Sequence, residues 1–262
     1  MSTLVVLGGG RMGSALVGGL IGGGAYKSSE ITVVDPNPAA VDAVRRFDVE
    51  TASTPVTADG AVLAIKPSEL ERACRQLAAV GVDRVLSIVA GATTAAIESY
   101  FGDGTRVVRS MPNTPALIGA GASAIAAGAS ATPDDLDWAE SILSAVGTVV
   151  RVPERLIDAV TGLSGSGPAY VFLIAEALTE AGVLVGLDRA TATVLATETL
   201  RGSAELLAKS GASPADLRSQ VTSPGGTTAA GLRVLEQRGV RAAILDAVAA
   251  AAERSRELGT PK

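Results

Sequence analysis

The sequence predicts a two-part chain, an α/β domain built on a doubly wound parallel sheet followed by an all-α domain. Three observations predict it. Short β-branched runs alternate with alanine-rich stretches through residues 1–151. A Gly-x-Gly-x-x-Gly turn directly follows the first run. After Val152-Pro153 no strand pattern recurs, and helical stretches rich in Ala, Leu, Glu and Arg take over.

Strands are predicted over 3–7, 31–34, 61–65, 84–89, 106–110, 123–127 and 148–151. They are almost continuously apolar, as strands covered by helices on both faces must be. The helix starts between them carry their own chemistry. Ser68-Glu69-Leu70-Glu71 has the capping-box pattern, and Thr132-Pro133-Asp134-Asp135 places Thr at the N-cap, proline at the first helical position and an acid in the first turn. Helices are then predicted over 154–163, 168–185, 189–209, 214–220, 227–237 and 240–258. Within 168–185 the polar side chains past Pro168 and Ala169 are Tyr170, Glu176, Thr179 and Glu180, so this helix must be buried on most faces. A small helical domain does not bury that much by itself, and a homo-oligomer of at least two copies is expected.

The run Leu4-Val5-Val6-Leu7-Gly8-Gly9-Gly10-Arg11-Met12-Gly13 sets the glycine motif in its working context, between a strand and a helix. Gly8 makes the tight turn, Gly10 lets a pyrophosphate approach the backbone, and Gly13 packs the helix on the strand, with Arg11 and Met12 in the helix start. The helix N-terminus adds free N–H groups and a positive dipole end. A Rossmann-type dinucleotide-binding domain over 1–151 is therefore expected, with a helical substrate-binding and dimerisation domain over 152–262. Asp35 ends the second strand about 20 residues past Gly13, where a carboxylate accepts from a ribose 2′-OH and repels a 2′-phosphate. It points to NADH; the alternative is that Asp35 only caps the turn Asp35-Pro36-Asn37-Pro38. Ala64-Ile65-Lys66-Pro67, Val89-Ala90-Gly91 and Met111-Pro112-Asn113-Thr114-Pro115 each follow a predicted strand, where open α/β sheets bind ligands. Ala64, Ile65, Lys66, Pro67, Ala90, Gly91 and Asn113 join the candidate cofactor residues, although each loop alone reads equally as a strand-to-helix connection and Lys66 as a solvated charge.

Composition removes other classes. A net charge of −5, 3% aromatic residues and no Lys/Arg cluster disfavour a nucleic-acid partner. Cys74 is the only cysteine and there is no histidine, so no disulfide framework, no Cys/His metal site and no His-based acid/base is available. No uninterrupted apolar run reaches the roughly 18–20 residues of a membrane helix, and no cationic segment precedes an apolar one at the N-terminus. No membrane partner and a cytoplasmic location are expected.

In the second half, Ser223-Pro224-Gly225-Gly226-Thr227-Thr228 opens a helix with two glycines and small hydroxyls. Unblocked N–H groups there can hold a carboxylate or phosphate; the alternative is a helix–helix turn with Ser/Thr caps. Gly162-Leu163-Ser164-Gly165-Ser166-Gly167-Pro168-Ala169-Tyr170 allows either tight backbone approach or close helix packing.

Taken together, the motifs resemble pyrroline-5-carboxylate reductases over essentially the whole length. The resemblance is carried by the 8–13 turn, Ala64-Ile65-Lys66-Pro67, Met111-Pro112-Asn113-Thr114-Pro115, the 161–170 stretch, and above all Pro214-Ala215-Asp216-Leu217-Arg218-Ser219-Gln220-Val221-Thr222-Ser223-Pro224-Gly225-Gly226-Thr227-Thr228. It implies NAD(P)H-dependent reduction of the cyclic imine 1-pyrroline-5-carboxylate to L-proline, the last step of proline biosynthesis. It also implies a helical domain that interlocks with a partner subunit, and dimers that assemble further, commonly to decamers. Ser223, Gly225, Gly226, Thr227 and Thr228 match the family's substrate loop, and Glu154 matches a substrate-side glutamate. Asp35 departs from the small residue that many members carry there with NADPH. A protonated imine is already an electrophile, so this chemistry runs without histidine; the Thr228 hydroxyl is the candidate to bond the ring nitrogen and relay a proton. The rival β-hydroxyacid dehydrogenases use a lysine on the helix that opens the second domain, and 168–185 contains none.

Overall fold

The computed structural model describes residues 3–259. Among them, eight strands form one sheet in the order β3-β2-β1-β4-β5-β6-β7-β8, namely β1 Leu4–Leu7, β2 Ile31–Val34, β3 Glu50–Ala52, β4 Gly60–Leu63, β5 Arg84–Ser87, β6 Arg106–Met111, β7 Gly121–Ala127 and β8 Gly147–Arg151. β1 shows why the sheet needs cover on both sides. Leu4 and Val6 enter a core with Leu16, Val17 and Leu20, while Val5 and Leu7 enter another with Leu63, Cys74 and Leu77. Period-two alternation sends neighbours to opposite faces, so both faces must be apolar.

The helices of this part are α1 Arg11–Gly22, α2 Pro38–Arg45, α3 Leu70–Ala79, α4 Thr94–Glu98 and α5 Pro133–Ser144. At α5 the Thr N-cap and first-turn acid expected from the sequence form a capping box: Asp135 accepts from the Thr132 amide at 2.9 Å and its hydroxyl at 2.7 Å. The same carboxylate, 1% exposed, meets Arg84 at 2.7 Å and Arg106 at 3.4 Å. The Arg84 guanidinium lies over the Trp138 ring, 4.7 Å from its centroid. Cys74 is fully buried, and burial pushes its thiol up to about 12, which leaves it inert.

Three details differ from the sequence reading. β7 runs antiparallel to β6, the exception in an otherwise parallel sheet. The link from Met111 to Gly121 is too short for a parallel crossover, which takes a dozen or more residues, and instead makes a 3-10 turn, Thr114–Ile118. β3 was not foreseen, because Glu50-Thr51-Ala52 is short, polar and on the sheet edge. Ser68 is no cap: Pro67 starts a 3-10 turn, Pro67–Glu69, whose fixed φ sets the geometry before α3 begins, and no side chain caps α3.

Beyond Arg151 the described chain is helical: α6 Ile157–Val160, α7 Gly167–Leu184, α8 Arg189–Ser210, α9 Pro214–Gln220, α10 Thr227–Gln237 and α11 Val240–Gly259. Between α6 and α7 a π turn, Thr161–Gly165, is marked by the Ser166 amide donating to Thr161 at 2.8 Å. Gly165 explains its position: a Cβ there would stand 2.6 Å from Met111 Cε. The chain divides into two compact units, Met1–Ser166 with Ala249–Lys262, and Gly167–Val248. In the second unit α7 and α8 pack closely, a Cβ on Gly182 standing 2.9 Å from that of Ala192. Phe172, Leu173 and Leu184 nonetheless remain exposed. Within Glu154–Leu184 a window of 18 residues reaches a mean hydropathy of 1.3, long and apolar enough to cross a membrane by length and composition alone. Glu176 and Glu180 interrupt its apolar character, which is why no uninterrupted apolar run of that length stands in the sequence.

Candidate active site

The sheet order reverses direction at β1, which is flanked by β2 and β4. A crevice therefore opens at the carboxyl ends of these strands, the ligand position of doubly wound folds. Here lies a cleft of about 290 Å³ lined by Gly8, Gly10, Asp35, Ala64, Ile65 and Lys66, with Ser53, Arg72 and Gln76 among others.

The three motif glycines have different tasks. Gly8 has φ +103°, and a Cβ would stand 2.3 Å from the Ala64 carbonyl oxygen. At Gly13 a Cβ would stand 1.9 Å from the Gly8 oxygen. Both are demanded by packing. Gly10 is exposed and a Cβ would meet nothing within 4 Å. It heads α1, which no side chain caps, so its backbone faces free space beside unblocked N–H groups. A dinucleotide pyrophosphate fits that arrangement. Arg11 is exposed at a neighbouring recess with Ser14 and Arg46, and Met12 packs against the core.

Asp35 caps its own turn, the second reading the sequence offers for it, and also braces the glycine turn. One carboxylate oxygen accepts the Asn37 amide at 2.8 Å, capping its own turn, and the other accepts the Gly9 amide at 2.8 Å. A carboxylate has about four acceptor sites, so the Asp35 oxygens have capacity beyond these two bonds at the cleft the residue lines.

Ala90 and Gly91 line a second cavity of about 380 Å³, with Pro67, Thr161, Ser166 and Ser255. Gly91 has φ +75° and lies against the end of α11, its Cβ position 3.5 Å from the Leu258 oxygen. Asn113 lines neither space; its amide donates to Ser164 O at 3.1 Å and accepts from the Ala122 amide at 2.9 Å, tying the π turn to β7. Glu154 accepts the amide and hydroxyl of Thr94, each at 2.7 Å, and a bond from Arg109 at 3.2 Å.

In the helical unit, the 223–228 loop leads into α10. Gly225 has φ +70°, and the Gly226 amide donates to the Ser223 carbonyl at 3.0 Å. Ser223 Oγ lies 2.4 Å from where a Gly226 Cβ would be, so a side chain there would make the Ser223 hydroxyl turn away from its present position. No side chain caps α10, which leaves the first-turn amides of Thr227 and Thr228 available to an anion.

Ser53, Arg72 and Gln76 carry no motif that marks them in the sequence. Arg109 does carry a signal beyond the motifs: a charge inside the apolar strand Val107-Val108-Arg109-Ser110 needs a buried partner. Among the described residues, no cluster of three or more His, Cys, Asp or Glu side chains is placed to hold a metal ion.

Comparison with known proteins agrees with this geometry. The family profile described as "Pyrroline-5-carboxylate reductase dimerisation" matches residues 154–258, and one described as "NADP oxidoreductase coenzyme F420-dependent" matches residues 3–91. A pyrroline-5-carboxylate reductase of Synechocystis sp. is 47% identical, over 98% of this chain and 98% of its own. Among solved structures, the pyrroline-5-carboxylate reductase from Coxiella burnetii superposes with a TM-score of 0.94 at 38% identity, covering 99% of both chains. Plasmodium falciparum pyrroline carboxylate reductase with NADP bound gives 0.87 at 30% identity, over 99% of this chain and 98% of that one. Sheet, glycine turn and helical unit define a class, the two-part dinucleotide-dependent oxidoreductases. Full-length identity then narrows it: the chain belongs to the pyrroline-5-carboxylate reductase family, and its helical region carries that family's dimerisation domain.

Proposed function

We propose that this protein reduces 1-pyrroline-5-carboxylate to L-proline with NAD(P)H, the last step of proline biosynthesis. The observation that carries the reading is the open backbone at Gly10 between the packed Gly8 and Gly13, in a chain with full-length relatives of that activity. The dinucleotide supplies the hydride, which forms a C–H bond at the imine carbon while the C=N π pair becomes the nitrogen lone pair and takes a proton. The protein's task is orientation. Gly8, Gly10, Arg11, Met12 and Gly13 hold the pyrophosphate end, Asp35 the adenosine ribose, and Ala64, Ile65, Lys66 and Pro67 the middle. Ala90 and Gly91 serve the nicotinamide end, and Asn113 serves it through the π turn that it holds. Ser223, Gly225, Gly226, Thr227 and Thr228 receive the substrate carboxylate, Thr228 Oγ1 bonds the ring nitrogen and relays its proton, and Glu154 belongs to the substrate side.

Asp35 supports NADH as the preferred cofactor, since a carboxylate there repels a 2′-phosphate. The exposed apolar side chains of α7 support a second copy of this chain as their cover, at least a homodimer with further assembly to a decamer. A membrane is a poorer cover, because each charge at a bilayer centre costs about 2.5–3.5 kcal/mol and α7 carries Glu176 and Glu180. The cytoplasm is the location this reading assigns. The test is oxidation of NADH and of NADPH on addition of 1-pyrroline-5-carboxylate, followed by absorbance, with oligomer mass measured by light scattering. Faster turnover with NADH is expected; consumption of neither cofactor would refute the activity.

A further inference from the structure

Arg109 lies within β6 with 5% of its surface exposed, where an unpartnered guanidinium would be prohibitive. It donates to Glu154 Oε1 at 3.2 Å, and its other terminal nitrogen stands 3.9 Å from Asp158 Oδ1. Each carboxylate reaches further. Glu154 accepts the Thr94 amide on Oε1 and the Thr94 hydroxyl on Oε2, both at 2.7 Å. Asp158 accepts the Ser255 hydroxyl at 2.7 Å. Thr94 opens α4, just past the turn that carries Ala90 and Gly91, and Ser255 lines the same 380 Å³ cavity as those two residues. One buried cation thus links, through two carboxylates, Ser255 in the wall of that cavity and Thr94, three residues past the Gly91 that lines it.

From this geometry we infer that Arg109 is a positioning residue for the nicotinamide end of the cofactor site, acting through Glu154 on the 90–91 turn and through Asp158 on Ser255. The inference rests on reading this cavity as the place of the nicotinamide. A planar guanidinium can serve two carboxylates at once in fixed directions; an ammonium cannot replace that fork. The anchor at the pyrophosphate end is built from other residues, those of the 8–13 turn. Losing the Arg109 fork therefore disturbs the reacting end of the dinucleotide and leaves its other end bound.

The test compares full-length wild type with Arg109→Lys, Glu154→Gln and Thr94→Val. It measures kcat with 1-pyrroline-5-carboxylate, and the affinities for NADH and for ADP-ribose, which lacks the nicotinamide. In Arg109→Lys, kcat is expected to fall about tenfold or more and the advantage of NADH over ADP-ribose about fivefold, with ADP-ribose affinity unchanged. Thr94→Val, which keeps Arg109, moves the same two quantities in the same direction by less. Equal losses for NADH and ADP-ribose would mean a merely structural role and overturn the inference. So would an unchanged kcat and NADH advantage, or a wild type that binds both ligands equally. The binding arm needs no turnover: if wild type oxidised neither cofactor, the proposed activity would fail while the NADH and ADP-ribose comparison still decided Arg109. If Arg109→Lys does not fold, Glu154→Gln and Thr94→Val read the same ratio.

Discussion

The carboxylate of Asp35 accepts the Gly9 amide at 2.8 Å, and so ties the turn after β2 to the glycine turn after β1. The residue proposed to choose between cofactors is thereby also part of the packing of the glycine turn. Asp35→Ala is expected to cost stability, up to about 1.5–3 kcal/mol for each of the hydrogen bonds to Gly9 and Asn37 that it loses. Asp35→Asn keeps an acceptor and removes the charge. Its kcat/KM ratio for NADPH over NADH should rise about tenfold, the ~1.4 kcal/mol that relief of one screened repulsion supplies. Steady-state kinetics with both cofactors checks this; an unmoved ratio would confine Asp35 to the turn.

Gly13 and Gly10 should separate folding from binding. Gly13→Ala forces a Cβ against the Gly8 oxygen, and overpacking of this kind costs about 1–3 kcal/mol. Its thermal midpoint should drop. Gly10→Ala meets no protein atom, so its midpoint should stay at the wild-type value while NADH affinity, measured by calorimetry, falls about tenfold as the methyl occupies the pyrophosphate's approach. Normal binding by Gly10→Ala would show that the pyrophosphate lies elsewhere.

Thr228→Ala should lower kcat by about 100-fold, the lower end of what a positioned proton donor contributes, with the KM for NADH unchanged. Thr228→Ser keeps the hydroxyl and should recover most of the rate. Wild-type turnover in Thr228→Ala would remove the hydroxyl from the mechanism.

Acid should release the Asp135 cluster. Burial pushes its carboxyl up, but the Thr132 amide and hydroxyl, with Arg84 and Arg106, more than offset this and hold it below the ordinary value. Folding then favours the ionised form, so the contribution is complete above about pH 4, the ordinary carboxylate range, and is lost as pH falls through the lower folded value. The midpoint gap between wild type and Asp135→Asn should be wide at neutral pH and close in strong acid. A gap that held constant across a pH series of thermal melts would show that the carboxylate's charge is not what stabilises the cluster.

Where local chemistry decides, the sequence was readable. The strand–glycine–helix order of 4–22, the Thr132 box and the bounds of α9 and α10 all depend on residues a few positions apart. The direction of β7 was not readable, because a strand buried on both faces shows the same apolar pattern whichever way it runs. Nor were the contacts of Glu154 readable. Thr94 and Arg109 are 60 and 45 positions away in the chain, and nothing local to Glu154 names them. Gly10 is intermediate: the motif located it, but only the built backbone distinguishes its open side from the filled ones at Gly8 and Gly13.

The late return of α11 sets an order on biosynthesis. Residues up to Ser166 belong with the segment from Ala249 onward, and the whole stretch Gly167–Val248 is translated between them. Ribosomes add about 5–20 residues per second, and domains generally fold as they emerge. The sheet and its glycine turn can therefore assemble while the helical unit is still being made, but the cavity beside Gly91 lacks a wall until Ser255 and Leu258 leave the exit tunnel. A nascent chain stalled before Ala249 would present the cleft at the glycine turn complete and the cavity beside Gly91 open to water.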